Sequence, residues 1–194
     1  MAVTTLDPAT ALVVIDLQNG VLGIPGAPHA CADVLSRTVA LADAFRARRL
    51  PVVLVRVTSA EDGSDALPGR TDRGGASGAR PAGWDTIADD LTGHPGDLVV
   101  TKRNWSAFYG TDLDLHLRRR GVTQIVLTGV ATSIGVDSTA RGAYEHGYHV
   151  SLAVDAMTDL DADAHRNSVE KIFPRLGETG TTAEILDLLA RTGP

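Results

Sequence analysis

Cysteine is nearly absent from this sequence, which contains only Cys31 among its 194 residues. A single cysteine excludes an internal disulfide and any metal cluster that needs several thiolates. Basic residues are also too few to balance the acidic ones, so the formal net charge is −6. Domains that bind nucleic acids present a basic face to the phosphates, and we therefore expect no nucleic-acid partner.

Long apolar runs and a basic leader are missing as well. The N-terminus has no basic segment followed by an apolar core, and no apolar run is long enough to span a membrane. We therefore expect a cytoplasmic protein without a membrane partner. The chain length suits one α/β domain, spanning residues 1–194, and the apolar content of 43% is ordinary for a globular protein.

Apolar runs alternate with segments of helical character along most of the chain. The runs predict strands at residues 11–15, 52–57, 98–101, 122–128 and 148–154, and the intervening segments predict helices at 31–49, 87–91, 112–120, 163–173 and 183–190. This alternation predicts an α/β fold, a single doubly wound parallel sheet of the Rossmann-like type with helices on both faces. Residues 59–81 lack periodicity and predict a long loop.

The segment Ile125–Tyr144 organises the rest of the chain. It begins as a β-branched apolar run, breaks at Gly129, and continues through small residues into a further helical segment. A buried strand, a tight turn and a helix in this order resemble a nucleophile elbow. Where the nucleophile would lie, however, the chain has Gly135.

Three predicted strands are followed by residues that suit a reactive site: Asp16, Lys102 and, at the elbow, Gly135. The carboxyl ends of parallel strands share one edge of the sheet, so these residues can converge there. A carboxylate and an ammonium in a partly dry cleft shift each other's pKa, as an acid–base pair requires. Alternatively, Asp16 caps a turn and Lys102 is a solvated charge.

Three segments of the sequence are similar to motifs of a known family. They are VVIDLQN at 13–19, VVTKRNWSAF at 99–108 and TGVATSIGVDSTA at 128–140. With these motifs the chain resembles the isochorismatase-like hydrolases, also called the cysteine hydrolase superfamily, from about residue 10 to its end. The resemblance implies six parallel strands in the sheet and a homodimer or larger homo-oligomer.

The catalytic set of most of that family is an Asp, a Lys and a Cys that attacks an amide carbonyl. The resemblance places the Asp at Asp16 and the Lys at Lys102, whereas the Cys position falls on Gly135. It also implies a cis peptide bond between Val130 and Ala131. Backbone N–H groups at this elbow, on Ala131 and Gly135, would then point at the reacting oxygen.

Isochorismatases within the family also carry glycine at that position, and they hydrolyse a vinyl ether by protonating its alkene carbon and adding water. The resemblance therefore implies a small anionic substrate, Asp16 as general acid, Lys102 as electrostatic partner, and no cofactor. Two alternatives stay open. The first is that the chain is a degenerate member, which binds a small molecule or a protein without turnover. The second is that it is an amidase whose cysteine has been replaced by Gly135. The elbow sequence at 131–136 looks more like that of amidase-type relatives.

Other nucleophiles and a metal are not expected. Cys31 lies at a predicted helix start, outside the three motifs. Thr132 and Ser133 lie close to the elbow, but no histidine is placed beside them in the sequence, and His165 fits no motif. The metal cluster of the related nicotinamidases is missing, because residues 58–61 read TSAE.

Candidate substrate-binding residues come from two strand ends. Trp105, Phe108 and Tyr109 follow Lys102 closely and are predicted to flank a flat substrate, although core or interface packing is an equal alternative. Arg56, near the end of the second predicted strand, is predicted to bind a substrate carboxylate. The alternative for Arg56 is an ordinary surface position.

Overall fold

Six parallel strands form the centre of the molecule, for which a computed structural model describes residues 3–65, 69–72 and 80–191. The strands lie in the order β3-β2-β1-β4-β5-β6, so the chain starts in the middle of the sheet and builds one half before the other. The predicted α/β fold with a doubly wound parallel sheet is confirmed. The strands are β1 (Thr10–Ile15), β2 (Val52–Val57), β3 (Leu98–Lys102), β4 (Gln124–Val130), β5 (His149–Thr158) and β6 (Glu178–Gly180).

Helices cover both faces of this sheet. They are α1 (Asn19–Leu22), α2 (Cys31–Ala47), α3 (Leu113–Arg119), α4 (Asp137–Glu145), α5 (Ala162–Asn167) and α6 (Thr182–Arg191). Helices α2 and α6 pack on one face, and α3 and α4 pack on the other. Every helix within the described ranges is too short or too polar to cross a bilayer.

The two faces are separated by the alternation of side chains along each strand. On β1, Leu12 and Val14 point into the layer of α2 and α6, whereas Val13 and Ile15 point into the layer of α3 and α4. All six residues of β1 are buried. A strand that is covered on both faces must be apolar throughout, which explains the continuous run in the sequence.

Several elements differ from their predictions. Strand β5 runs to Thr158, beyond the predicted end at 154, because its pairing register with β4 shifts and admits extra residues. The helix predicted at 163–173 is an α-helix only to Asn167, after which the backbone forms a π turn and then a 3-10 turn. The segment 87–91 forms only a 3-10 turn, Asp89–Leu91. Parts of the predicted 59–81 loop, 66–68 and 73–79, lie outside the described residues.

Gly129 allows β4 to lie directly against the end of β1. Its φ is +119°, a conformation that residues with a side chain rarely adopt. A Cβ atom there would lie 2.0 Å from the carbonyl oxygen of Ile15. Because Ile15 immediately precedes Asp16, this contact also sets the position of the Asp16 carboxyl relative to the elbow.

Gly129→Ala is expected to lower the free energy of unfolding by at least about 3 kcal/mol, because backbone strain and the clash with Ile15 add. Urea unfolding followed by circular dichroism measures the loss. Gly96→Ala is the matched control, since a Cβ at Gly96 meets no atom within 4 Å. Equal stability of the two variants would contradict this account of Gly129.

Candidate active site

Asp16 and Lys102 form a buried ion pair at the carboxyl edge of the sheet. The Lys102 Nζ donates a hydrogen bond of 2.7 Å to the Asp16 Oδ2, and it also donates to the Asn104 carbonyl oxygen at 3.2 Å. Lys102 is 2% exposed and Asp16 6% exposed. Strand β2 lies between β1 and β3, so the lysine side chain reaches across the end of β2 to meet the carboxyl.

Gly135 lies beside this pair. A Cβ atom built on Gly135 would be 3.3 Å from the Asp16 Oδ2 and 3.0 Å from the Ile15 Cγ2. The glycine is buried within a π turn, Thr132–Val136, that leads into α4. The three residues found at strand ends in the sequence therefore lie together, and Gly135 itself has no side chain to project toward the carboxyl.

Burial dominates the electrostatics of Asp16. It raises the pKa of the carboxyl from 3.8 to about 6, and the nearby Lys102 ammonium opposes that rise. The Asp16 Oδ1 is buried and has no hydrogen-bond partner among the described residues. A buried polar atom without a partner is costly. This oxygen therefore adds to the desolvation that raises the pKa of the carboxyl to about 6.

The elbow itself has the predicted backbone. The Val130–Ala131 peptide bond is cis, and the amides of Ile134 and Val136 both donate to the Ala131 carbonyl oxygen at 3.1 Å. This arrangement turns the chain from the buried strand β4 into α4. It places Gly135 next to the Asp16 carboxyl.

Comparisons with known proteins agree with this geometry. The model of the isochorismatase domain matches residues 10–184. This chain belongs to the isochorismatase family. Isochorismatase family protein YecD of Escherichia coli O157:H7 is 44% identical over 180 residues, covering 93% of this chain and 96% of YecD. An isochorismatase family protein from Burkholderia thailandensis has a solved structure with 47% identity and a TM-score of 0.92, covering 96% of this chain and 98% of that one.

A more distant relative carries a named activity. Ureidoacrylate amidohydrolase RutB of Methylobacterium radiotolerans is 32% identical over 192 residues, covering 86% of this chain and 74% of RutB. The chain is thus an isochorismatase-family hydrolase, and its relatives include amidohydrolases.

The predicted substrate-binding residues lie in different surroundings. Arg56 is half-buried, and its Nε donates to the Thr101 Oγ1 at 3.1 Å while its Nη1 lies 3.7 Å from the Asp85 Oδ2. Trp105 is exposed at the surface. Arg56 therefore already has two polar partners, and it can offer only its remaining N–H groups to a ligand.

Phe108 packs against other rings, as the alternative of core packing predicts. Its ring stacks on His146 and Tyr148, with centroid separations of 4.9 and 5.9 Å. His146 follows the last residue of α4, whereas Gly135 precedes its first. Phe108 therefore packs at the far end of the elbow helix, where it contributes to the core rather than to the site. Tyr109 remains exposed.

A histidine does lie beside the elbow, contrary to the sequence-based expectation. The Nδ1 of His165 is 2.8 Å from the Thr132 Oγ1, and both residues are buried. Burial and the nearby His29 lower the pKa of His165, so its imidazole is neutral near neutral pH. The next amide, that of Ser133, donates to the Asp159 Oδ2 at 2.6 Å. His165 and Asp159, which lie outside the three motifs, thus hold two consecutive elbow residues, Thr132 and Ser133.

The remaining candidates contribute little chemistry. The Cys31 Sγ donates to the Ile24 carbonyl oxygen, and burial raises the pKa of the thiol, which disfavours the thiolate. Across the described ranges, no group of three His, Cys, Asp or Glu side chains is arranged to hold a metal ion.

A cavity of about 290 Å³ lies beside the segment that follows Asp16. It is lined by Asn19, Gly20 and residues 80–84, and no sequence pattern predicts it.

The Asp16 carboxyl is expected to titrate with a midpoint near pH 6 in NMR spectra of protein with 13C-labelled aspartate. Lys102→Met should raise that midpoint further, because it removes the cation that favours the carboxylate. The matched control is Lys171→Met, which removes the other lysine of the chain, an exposed one. A midpoint near 4, or equal shifts in the two variants, would contradict the proposed electrostatics.

Proposed function

We propose that this protein hydrolyses a vinyl ether bond in a small anionic substrate. Asp16 is the general acid, Lys102 is its electrostatic partner, and Gly135 occupies the position at which most of the family carries a nucleophilic cysteine. The observation that carries the proposal is the buried Asp16 carboxyl, which has one oxygen on Lys102 and the other without a partner. No side chain stands on Gly135 to form a covalent intermediate.

The reaction begins with proton transfer from the Asp16 carboxyl to the terminal alkene carbon. The ether carbon then becomes an oxocarbenium ion, to which water adds. Loss of a proton gives a hemiketal, which collapses to an alcohol and a ketone. Asp16 regains its proton from the attacking water. Throughout this cycle Lys102 stabilises the carboxylate that forms when Asp16 gives up its proton.

Negative charge on the substrate has suitable partners at this edge of the sheet. The backbone N–H groups of Ala131 and Gly135 are assigned to a substrate oxygen at the elbow. Arg56 retains N–H groups beyond those used on Thr101, and exposed Arg80 lies at the cavity near Asn19. The absence of a side chain at Gly135 keeps the Asp16 Oδ2 uncrowded, since a Cβ there would lie 3.3 Å from it.

Asp16→Asn is expected to lower kcat at least about a hundredfold with isochorismate as the vinyl ether substrate, because the general acid is lost. Released pyruvate is measured. The wild-type kcat/KM should fall about tenfold per pH unit above pH 6, as the acid form of Asp16 is depleted.

Cys31→Ser is the control for this experiment, and it should keep full activity, as should the wild type treated with thiol-blocking reagents. Full activity in Asp16→Asn would contradict the proposal. A kcat/KM that rises with pH through 6 would instead assign Asp16 the role of a base. Ligand-dependent stabilisation without any product would identify a binding protein.

Amide hydrolysis is the second candidate, and the relationship to ureidoacrylate amidohydrolase RutB favours it. A side chain on Gly135 would start within 3.3 Å of the Asp16 Oδ2, where a carboxylate could take the proton of a thiol. The ion pair needed to activate a cysteine is thus already assembled. Only the nucleophile is missing.

Gly135→Cys is expected to gain hydrolysis of primary amides, measured as ammonia release from a panel of amides. It should lose vinyl ether hydrolysis because the added Cβ crowds the Asp16 carboxyl and Ile15. Gly135→Ala is the matched control, since it adds the same Cβ without a thiol and should lose the vinyl ether activity alone. A folded Gly135→Cys protein without amidase activity would count against an amidase ancestry of the site.

A further inference from the structure

One face of the elbow helix is in contact with the loop that follows Lys102. Gly135, Thr139 and Gly142 are spaced four and three residues apart, so they lie on the same helical face. Opposite them runs the segment 103–112, which we call the Lys102 loop; it connects β3 to α3. This face of small residues lets the loop approach the helix closely.

Thr139 joins the two elements through its hydroxyl. The Oγ1 donates to the Gly135 carbonyl oxygen at 2.7 Å and accepts from the Ala107 amide at 3.0 Å. Both Thr139 and Ala107 are fully buried, and hydrogen bonds are stronger where water is excluded. A threonine inside a helix often bonds the carbonyl four residues earlier. The bond from Ala107 is different, since it ties a loop that lies 32 residues away.

Gly142 supports the same contact. A Cβ on Gly142 would lie 3.1 Å from both the Phe108 Cδ2 and the Ser106 Oγ, so a larger residue would push the loop away from the helix. The near end of the loop in turn holds the lysine, because the Asn104 carbonyl oxygen accepts from the Lys102 Nζ. A continuous set of contacts therefore runs from α4 through the loop to the ammonium.

We propose that Thr139 is a positioning residue, which holds the Lys102 loop on the elbow helix and thereby keeps the Lys102 ammonium against the Asp16 carboxyl. Such a fixation is needed because β3 is an edge strand and Lys102 is its last residue. A long, flexible side chain that starts there must reach across β2. The effect of Thr139 on turnover rests on the proposed function, whereas its effect on the titration of Asp16 does not.

Thr139→Val removes the hydroxyl and keeps the shape of the side chain. We expect kcat for the vinyl ether to fall about tenfold or more, because small misplacements of a catalytic group are costly, while KM changes little. The NMR titration midpoint of Asp16 should rise, because the ammonium that lowers it is less firmly held. Thr139→Ser retains the hydroxyl and should restore both quantities.

Thr38→Val is the matched control, because the buried Thr38 hydroxyl in α2 has no hydrogen-bond partner among the described residues. Gly142→Ala tests the contact independently and applies even where Thr139→Val does not fold. The added alanine favours the helix intrinsically. The substitution should nevertheless raise the Asp16 midpoint and lower kcat, as Thr139→Val does. If Thr139→Val and Gly142→Ala leave the Asp16 midpoint at the Thr38→Val value, the inference is overturned, whether or not the wild type hydrolyses a vinyl ether.

Discussion

The buried ion pair between Asp16 and Lys102 is the constraint on which the rest of the site depends. Removing a carboxylate and an ammonium from water costs several kcal/mol for each ion, and a pair of this kind often contributes nothing to net stability. The rise of the Asp16 pKa from 3.8 to about 6 corresponds to about 3 kcal/mol of destabilisation. That cost is absent below pH 3.8 and complete above pH 6. Folding stability therefore does not explain why the pair is buried, whereas the proposed role of Asp16 as general acid does.

The sheet is arranged so that this costly pair can form. β1 and β3 are not neighbours, so a short side chain on β3 could not reach Asp16 across β2. Lysine is long enough, and its charge is compact. On the other side of Asp16, the missing side chain of Gly129 brings β4 against the end of β1. The pair is therefore set by strand order on one side and by backbone contact on the other.

The elements that the sequence could predict are those whose signal is local. Continuous apolar runs predicted the parallel strands, and the polar residues that end them, Asp16 and Lys102, predicted the site, because parallel topology brings strand ends together. The contact of Thr132 with His165 joins residues 33 positions apart, and no local pattern encodes such a contact. The direction of the Phe108 ring could not be predicted from the sequence either, since an aromatic residue after a strand suits a pocket and a core equally well.

The elbow helix shows what such a site requires of its scaffold. Within nine residues, α4 contains Gly142 and Thr139, both weak helix formers, and Gly135 lies in the turn before it. Its own propensity therefore contributes little, and tertiary packing must hold it in place. The residues that weaken the helix are the ones that touch the Lys102 loop or leave space beside Asp16. Along one face of α4, the residues that fit the contact with the Lys102 loop therefore lower the helical propensity. The sequence keeps these residues, so close packing at the candidate site takes precedence over helical propensity.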